Sequence, residues 1–416
     1  MNFKVTLCSL ALTLAGCMAS ATMASAQETY TVNDGSYQGW TFIKNTDGTL
    51  SLASVDWRFS LSDGVLRIPE TVDGMAVTSI VGEEAIGEIG AGTFLAKTNI
   101  KAVIFSKNVT TIGSSAFQWC SSIEELDFSK SGVKVIGDYA FEGCKKVEKI
   151  KLPEDCTTIG AAAFRQCDKL SKVALPTTLT TIGNSAFQCC TELKSVNLPE
   201  GLETIGSYAF NQCTSLKSVT IPSTVTTVGQ YSFQYCYNLG SVEIKDSETN
   251  TDRVIEQGAF NQTAISSITI PGSVATVENN AFDGCGNLTN VVIGDGVKEI
   301  QANAFGSCGN LANVTFESQN NPPSIDSSAF TTWRVSNGDV EFSVPDNSTY
   351  VVNPNGSSAQ VVMKDTTDPA SISNIDIAEA PAAYYDFLGR KIASPKAGQA
   401  VIAVYANGSA RRMLVK

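Results

Sequence analysis

Histidine is missing from all 416 residues. That absence removes imidazole zinc sites, serine–histidine and cysteine–histidine nucleophiles, and side-chain pH switching near neutrality. Basic residues are also in short supply: 29 Lys and Arg stand against 41 Asp and Glu, for a formal net charge of −12. Bulk charge of that sign works against nucleic acid and anionic membranes as partners. Beyond residue 26 no apolar run is long enough to cross a bilayer as a helix. What the chain does have is repetition.

Between Ile89 and Trp333 one pattern returns about every 23 residues, clearest in Leu216-x-x-Val219-x-Ile221-Pro222-x-x-Val225-x-x-Val228-Gly229-x-x-Ser232-Phe233-x-x-Cys236. Eleven phenylalanines mark it: Phe94, Phe117, Phe141, Phe164, Phe187, Phe210, Phe233, Phe260, Phe282, Phe305 and Phe330, spaced by 22 to 27 residues. Five positions before each stands Ile or Val, from Ile89 to Ile325. Such a chain is a repeat solenoid, one coil per repeat, because a single coil cannot bury its apolar side chains alone. Within the coil, Val219 and Ile221 alternate with outward Ser218 and Thr220 on a short strand. Pro222 then ends the strand, having no N–H to give a neighbouring coil. Val225 and Val228 return along the other side, Gly229 permits a corner, and Phe233 fills the centre.

Twelve cysteines in an exported chain suggest disulfides. Eight of them, however, stand three residues after the repeat phenylalanine (Cys120, Cys144, Cys167, Cys190, Cys213, Cys236, Cys285, Cys308) and form a column. Equivalent Cβ atoms on stacked coils lie ~4.8 Å apart, beyond the ~3.5–4.5 Å of a disulfide. The expectation is a ladder of buried thiols that bind no metal, since neither histidine nor paired Cys-x-x-Cys ligands converge on it. Cys156 and Cys189 lie off the column.

The ends differ from the array. Residues 1–26 read as an export signal, with Lys4, an apolar run and Ala24-Ser25-Ala26 before Gln27. Leu14-Ala15-Gly16-Cys17 competes with that cleavage, because it resembles a bacterial lipobox in which Cys17 carries lipid. Residues 27–86 form an N-terminal β cap with a hairpin signal at Asp47-Gly48. Residues 87–334 are the coils, 335–364 a C-terminal cap, 365–371 a linker, and 372–416 a short β-rich tail.

Two surfaces are candidates for binding. The first is the outward face of the strands, which turns from acidic (Glu124, Glu125, Asp127, Glu148) through basic to neutral polar. Its candidate residues are Lys151, Lys172, Lys194, Asn197 and Lys217, then Thr220, Glu243, Thr269, Asn290 and Asn313. The plain alternative is an outer side that needs only to be polar. The second surface is a tyrosine patch (Tyr208, Tyr231, Tyr235, Tyr237) near a repeat lengthened by four residues within Lys245–Arg253. Its alternative is simple packing over the coils. Catalysis by the carboxylates is not expected, since an open sheet offers no pocket to raise the pKa of one of them.

The repeat resembles the BspA-like (Treponema-type) leucine-rich repeats of bacterial surface proteins, as in Leu193-Lys-Ser-Val-Asn-Leu-Pro199 running into Ile205-Gly-Ser-Tyr-Ala-Phe210-Asn-Gln-Cys213. The resemblance implies a right-handed leucine-rich-repeat superhelix with a parallel β-sheet on one face and short β or 3-10 segments on the other. It also implies an exported, outer-membrane-associated adhesin-like protein, monomeric and without a cofactor. Its partner would be a host or bacterial surface protein, extracellular matrix or a glycan. A surface glycan-binding protein of a nutrient-uptake system is the alternative. The tail, with Tyr385-Asp-Phe-Leu-Gly-Arg390 and a final basic strand, resembles a short C-terminal sorting segment of the type IX secretion kind. That likeness favours ordinary signal cleavage over lipid at Cys17.

Overall fold

The computed structural model describes residues 28–32, 37–55, 61–82, 93–332, 340–345, 348, 350–355, 358–363, 383–385, 391–392, 396, 400–404 and 410–414. The export-signal and Cys17 readings, and the 365–371 linker, lie outside the described residues. The chain divides into two compact units, Met1–Val362 and Met363–Lys416.

The first unit is a solenoid whose coils have three flanks. One is the strand flank, for example Ser218–Ile221, whose side chains alternate between outward and buried. The second flank is also β, made of two-residue strands such as Thr181–Ile182, in which the Ile is buried and the Thr is partly covered. Turns around the repeat phenylalanine make the third. The second flank carries the longest hydrogen-bonded sheet: it begins with antiparallel strands Thr29–Thr31, Thr41–Lys44 and Leu50–Ser54, passes to Met75–Ile80, and continues in parallel from Thr111–Ile112 to Ser324–Ile325. The strand flank is broken into shorter sheets of three, two, two and four strands. Continuity therefore belongs to the flank opposite the one that the sequence singled out.

Phenylalanine fills the axis. From Phe94 to Phe330 successive rings lie 4.9 to 5.4 Å apart and within 11° of parallel. Coil spacing sets that distance. Trp40 meets Phe94 edge-on at one end (6.3 Å) and Phe342 meets Phe330 edge-on at the other (5.6 Å). Tyr350 is fully buried beyond it, donating its hydroxyl to Ser318 O (2.7 Å).

Two expectations about local chemistry change. The corner glycines show no left-handed φ; they are needed because the coils touch there. A Cβ on Gly183, Gly206 or Gly229 would stand 2.6 Å from the carbonyl carbon of the glycine one coil back. The left-handed conformation falls instead two residues before and two after the phenylalanine, on residues such as Tyr139, Gln166, Cys189, Tyr208 and Tyr235, with φ between 57 and 61°. Each of these costs of order 1–3 kcal/mol. In return, alternate N–H groups of the turn point at the next coil: Ser185, Phe187 and Cys189 donate to Ser207, Ala209 and Asn211 carbonyls at 2.7 to 2.9 Å.

The ten cysteines within the described residues are all unpaired. Their role is more than apolar filling. Each column thiol donates to the phenylalanine carbonyl of the preceding coil, as Cys213 Sγ does to Phe187 O (3.2 Å), an oxygen that also accepts the Cys190 N–H (3.1 Å). Thr263, in the same column, turns its hydroxyl to its own coil's Phe260 O (3.0 Å). Cys156 is fully buried at the phase that Leu179, Leu202 and Val225 occupy in other coils. Cys189 sits half-buried on the turn flank.

In the second unit, Lys391–Ile392, Ala383–Tyr385, Ala400–Val404 and Ala410–Leu414 form, in that order, a four-stranded antiparallel sheet.

Candidate functional site

On the strand flank the period-2 alternation puts every second side chain outward, and parallel register lines them into columns. Lys149 stands beside Lys172, and Lys151 beside Ala174. All ten candidate residues point outward, and all are exposed except Thr220, which is half-buried. They do not form one site, since they spread over the coils from Lys151 to Asn313. Those in the later coils bind each other: Thr220 Oγ1 donates to Glu243 Oε2 (3.1 Å) and Asn313 Nδ2 to Asn290 Oδ1 (2.7 Å).

A groove of about 1380 Å³ opens in the early part of this flank. It takes in only Lys151 and Lys172 from the candidate set, and brings to them Lys149, Lys146, Lys169 and the acids Glu124, Glu125, Asp127, Glu148, Glu154 and Asp155. The strand flank is therefore concave here, as a groove open to solvent. Its cause is local. The repeat from Phe117 to Phe141 has one extra residue, within Ser129–Gly132 after the strand Glu125–Asp127, and the strand sheet stops between Glu125–Asp127 and Lys149–Lys151. Phe128, Leu152 and Ile150 floor the opening, each 2% exposed.

The groove's charge is mixed. Glu124, Glu125 and Asp127 line the earlier coil; the next carries Lys146, Lys149 and Lys151 together with Glu148, Glu154 and Asp155, and the third Lys169 and Lys172. Lys146 reaches Glu124 (3.6 Å), and Lys169 pairs with Glu192. Lys149, Lys151 and Lys172 have no ion-pair partner among the described residues. Asp127 is held below the usual carboxylate range, first by the Ser129 hydroxyl and then by its backbone N–H (2.8 Å). That is the opposite of what a general acid needs. Among the described residues no group of three or more Cys, Asp or Glu is placed to hold a metal ion.

The tyrosines lie on the turn flank and pack on each other. Tyr208 and Tyr231 stack at 5.2 Å, and the Tyr231 hydroxyl accepts from Gln257 Nε2 (2.6 Å). Gly258, left-handed and without a Cβ, leaves room for the Tyr231 ring. Tyr235 and Tyr237 are tilted at 5.8 Å, and only Tyr237 is mostly exposed, at 56%. The lengthened repeat falls between the strand flank and the second flank instead. Buried Arg253 fastens it, donating to Val225 O (2.7 Å), Pro222 O (3.0 Å) and Ser273 Oγ (3.2 Å).

One feature of the turn flank escaped the sequence reading. The residue after each phenylalanine is polar over most of the stack, and these side chains run from coil to coil. Gln118 and Arg165 both donate to the buried carboxylate of Glu142 (2.6 and 2.7 Å). Further along, Gln188, Asn211, Gln234, Asn261 and Asp283 continue as an amide ladder at 3.1 to 3.2 Å. The unbroken polar column was the available signal.

Parallel strands, turn ladders and an axial phenylalanine stack, with one grooved polar flank, define a leucine-rich-repeat solenoid. The chain belongs to the family of the BspA type leucine rich repeat region, whose six-copy sequence model matches residues 72–191, 134–254 and 253–352. Among solved structures it is similar to a leucine-rich repeat protein from Bacteroides ovatus (22% identity, 76% of this chain and 78% of that one, TM-score 0.46). It is also similar to a leucine rich cell surface protein from Faecalibacterium prausnitzii (23%, 70% and 95%, 0.34) and to the pneumococcal vaccine antigen PcpA (17%, 77% and 94%, 0.38). No curated protein matches the chain.

Proposed function

We propose that this chain is an exported, surface-associated binding protein that holds a macromolecule on its strand flank and carries out no catalysis. The observation that carries this reading is the groove of about 1380 Å³ in an exposed polar flank. Polar columns rimming an apolar floor suit recognition, since a few desolvated contacts ringed by polar ones supply most binding energy. The residue pattern of 1–26 supports export, and the family resemblance supports an adhesin-like role toward a host or bacterial surface protein, or matrix.

The test is capture by the full chain on arrays of extracellular proteins and of glycans. Capture of a protein that is lost with Thr269→Arg plus Asn290→Arg, or with Lys149→Glu plus Lys172→Glu, and kept with Tyr208→Ala, is the expected result. Capture confined to glycans would favour the glycan-uptake role. Silence on both arrays, or capture indifferent to every strand-flank change, would overturn the reading. Mass spectrometry of the exported chain then distinguishes an N-terminal Gln27 from a lipid-bearing Cys17.

A further inference from the structure

We infer that the groove takes an extended polypeptide segment of divided charge, with basic residues over Glu125 and Asp127 and acidic residues over Lys149, Lys151 and Lys172. This rests on the reading of the strand flank as the binding surface and names the chemistry of its occupant. Three observations carry it. Lys149 and Lys172 are directly in register on neighbouring parallel strands, where like charges repel. No carboxylate among the described residues lies within ion-pair distance of them or of Lys151, although Glu148, Glu154 and Asp155 line the same groove and Lys145, Lys146 and Lys169 nearby all have acid partners. An acidic ligand supplies the missing counter-charge. Finally, the strand sheet ends at the same place, and across that break the equivalent outward positions change sign, from Glu125 to Lys149 and from Asp127 to Lys151.

Geometry and charge favour polypeptide over polyanion. Coils are ~4.8 Å apart, so the three coils of the groove span about 10 Å, which an extended peptide covers in about three residues. A uniformly acidic polysaccharide running along the stack would meet Glu124, Glu125 and Asp127 at one end and Glu243 at the other. The chain's net charge of −12 would also slow its approach. A segment with an acidic block beside a basic one satisfies both halves.

The experiment is fluorescence anisotropy on the full chain at low and physiological salt. The probes are a labelled peptide with a glutamate block followed by a lysine block, a peptide of the same composition with alternating charges, an all-glutamate peptide, and polygalacturonate. The block peptide should bind about tenfold more tightly than the alternating one, weaken with salt, and lose about tenfold in Lys149→Glu plus Lys172→Glu. Both positions are exposed, and unchanged circular dichroism would show that the variant folds. Equal binding of block and alternating peptides, tighter binding of the all-glutamate peptide or polygalacturonate, or indifference to the double variant would each overturn the inference. If array capture survives that variant but is lost with Thr269→Arg plus Asn290→Arg, the strand-flank reading stands and this inference alone falls.

Discussion

Ser232 occupies a column that is otherwise alanine, from Ala116 and Ala140 to Ala304 and Ala329, and all of it is buried. Its hydroxyl oxygen has no hydrogen-bond partner among the described residues. A buried hydroxyl without a partner costs about 1–3 kcal/mol. Ser232→Ala should therefore raise stability by about 1 kcal/mol, seen as a higher denaturant midpoint at unchanged slope, and Ala209→Ser should lower it similarly. The column thiols differ, because each has its carbonyl. Burial pushes Cys120 and Cys236 up to about 12, and Cys156 and Cys285 up to about 11, so thiolate is scarce at neutral pH. Cys189 is the partly exposed one. In the full chain with Cys8 and Cys17 replaced by serine, a maleimide should label one thiol quickly and the others only at the rate of unfolding. Cys189→Ser should remove the fast phase; several fast thiols in the native chain would contradict the ladder.

Coils are held at their separation by places where backbones touch, and the corner glycines are those places. Gly206→Ala would set a methyl 2.6 Å from Asn184 N and Gly183 C, with a rigid coil on each side. The expected loss is about 3 kcal/mol or more, because neither backbone can retreat without opening both ladders. Gly201→Ala, whose Cβ would meet only Thr177 O at 3.2 Å, should change stability by less than about 1 kcal/mol. Equal effects of the two in thermal unfolding would refute close approach as the reason for glycine. These elements also mark how far the residues alone can be read. Alternation of Val219 and Ile221 with Ser218 and Thr220 made the strand flank legible, since burial has the same period as the strand. The phenylalanine and cysteine columns were legible because stacking turns sequence period into spatial line. The turn flank was not: tyrosine, glutamine and serine carry its left-handed φ, and none of them announces it as glycine would. The groove was hidden too, because pattern shows the extra residue within Ser129–Gly132 but not which neighbouring strands part.

With no histidine, and with its buried thiols pushed far above neutrality, the molecule has few groups that titrate between about pH 6 and 8.5. Stability should be nearly flat there. On the acid side several aspartates act together. Asp47, Asp63, Asp127, Asp246 and Asp326 all lie below their ordinary value, chiefly through hydrogen bonds from neighbouring hydroxyls or N–H groups. A carboxylate whose folded pKa is depressed binds its proton more readily in the unfolded chain. Its contribution is present above the unfolded value near 3.8 and disappears as pH falls through the folded one. Glu256 has the opposite sign: burial raises it, so ionising it at neutral pH opposes folding. Tm measured from pH 8 downward should therefore hold steady to about pH 5 and fall below about pH 4. Glu256→Gln keeps an acceptor for the Gln230 N–H, which Glu256 now accepts at 2.8 Å, and removes the buried charge. That variant should melt higher than the parent at pH 7 and no higher at pH 3, because the parent's Glu256 is then already neutral. A titration centred near pH 6.5 that survived Glu256→Gln would count against the scheme of a solenoid held by burial and coil-to-coil ladders, since the chain has no histidine to supply it.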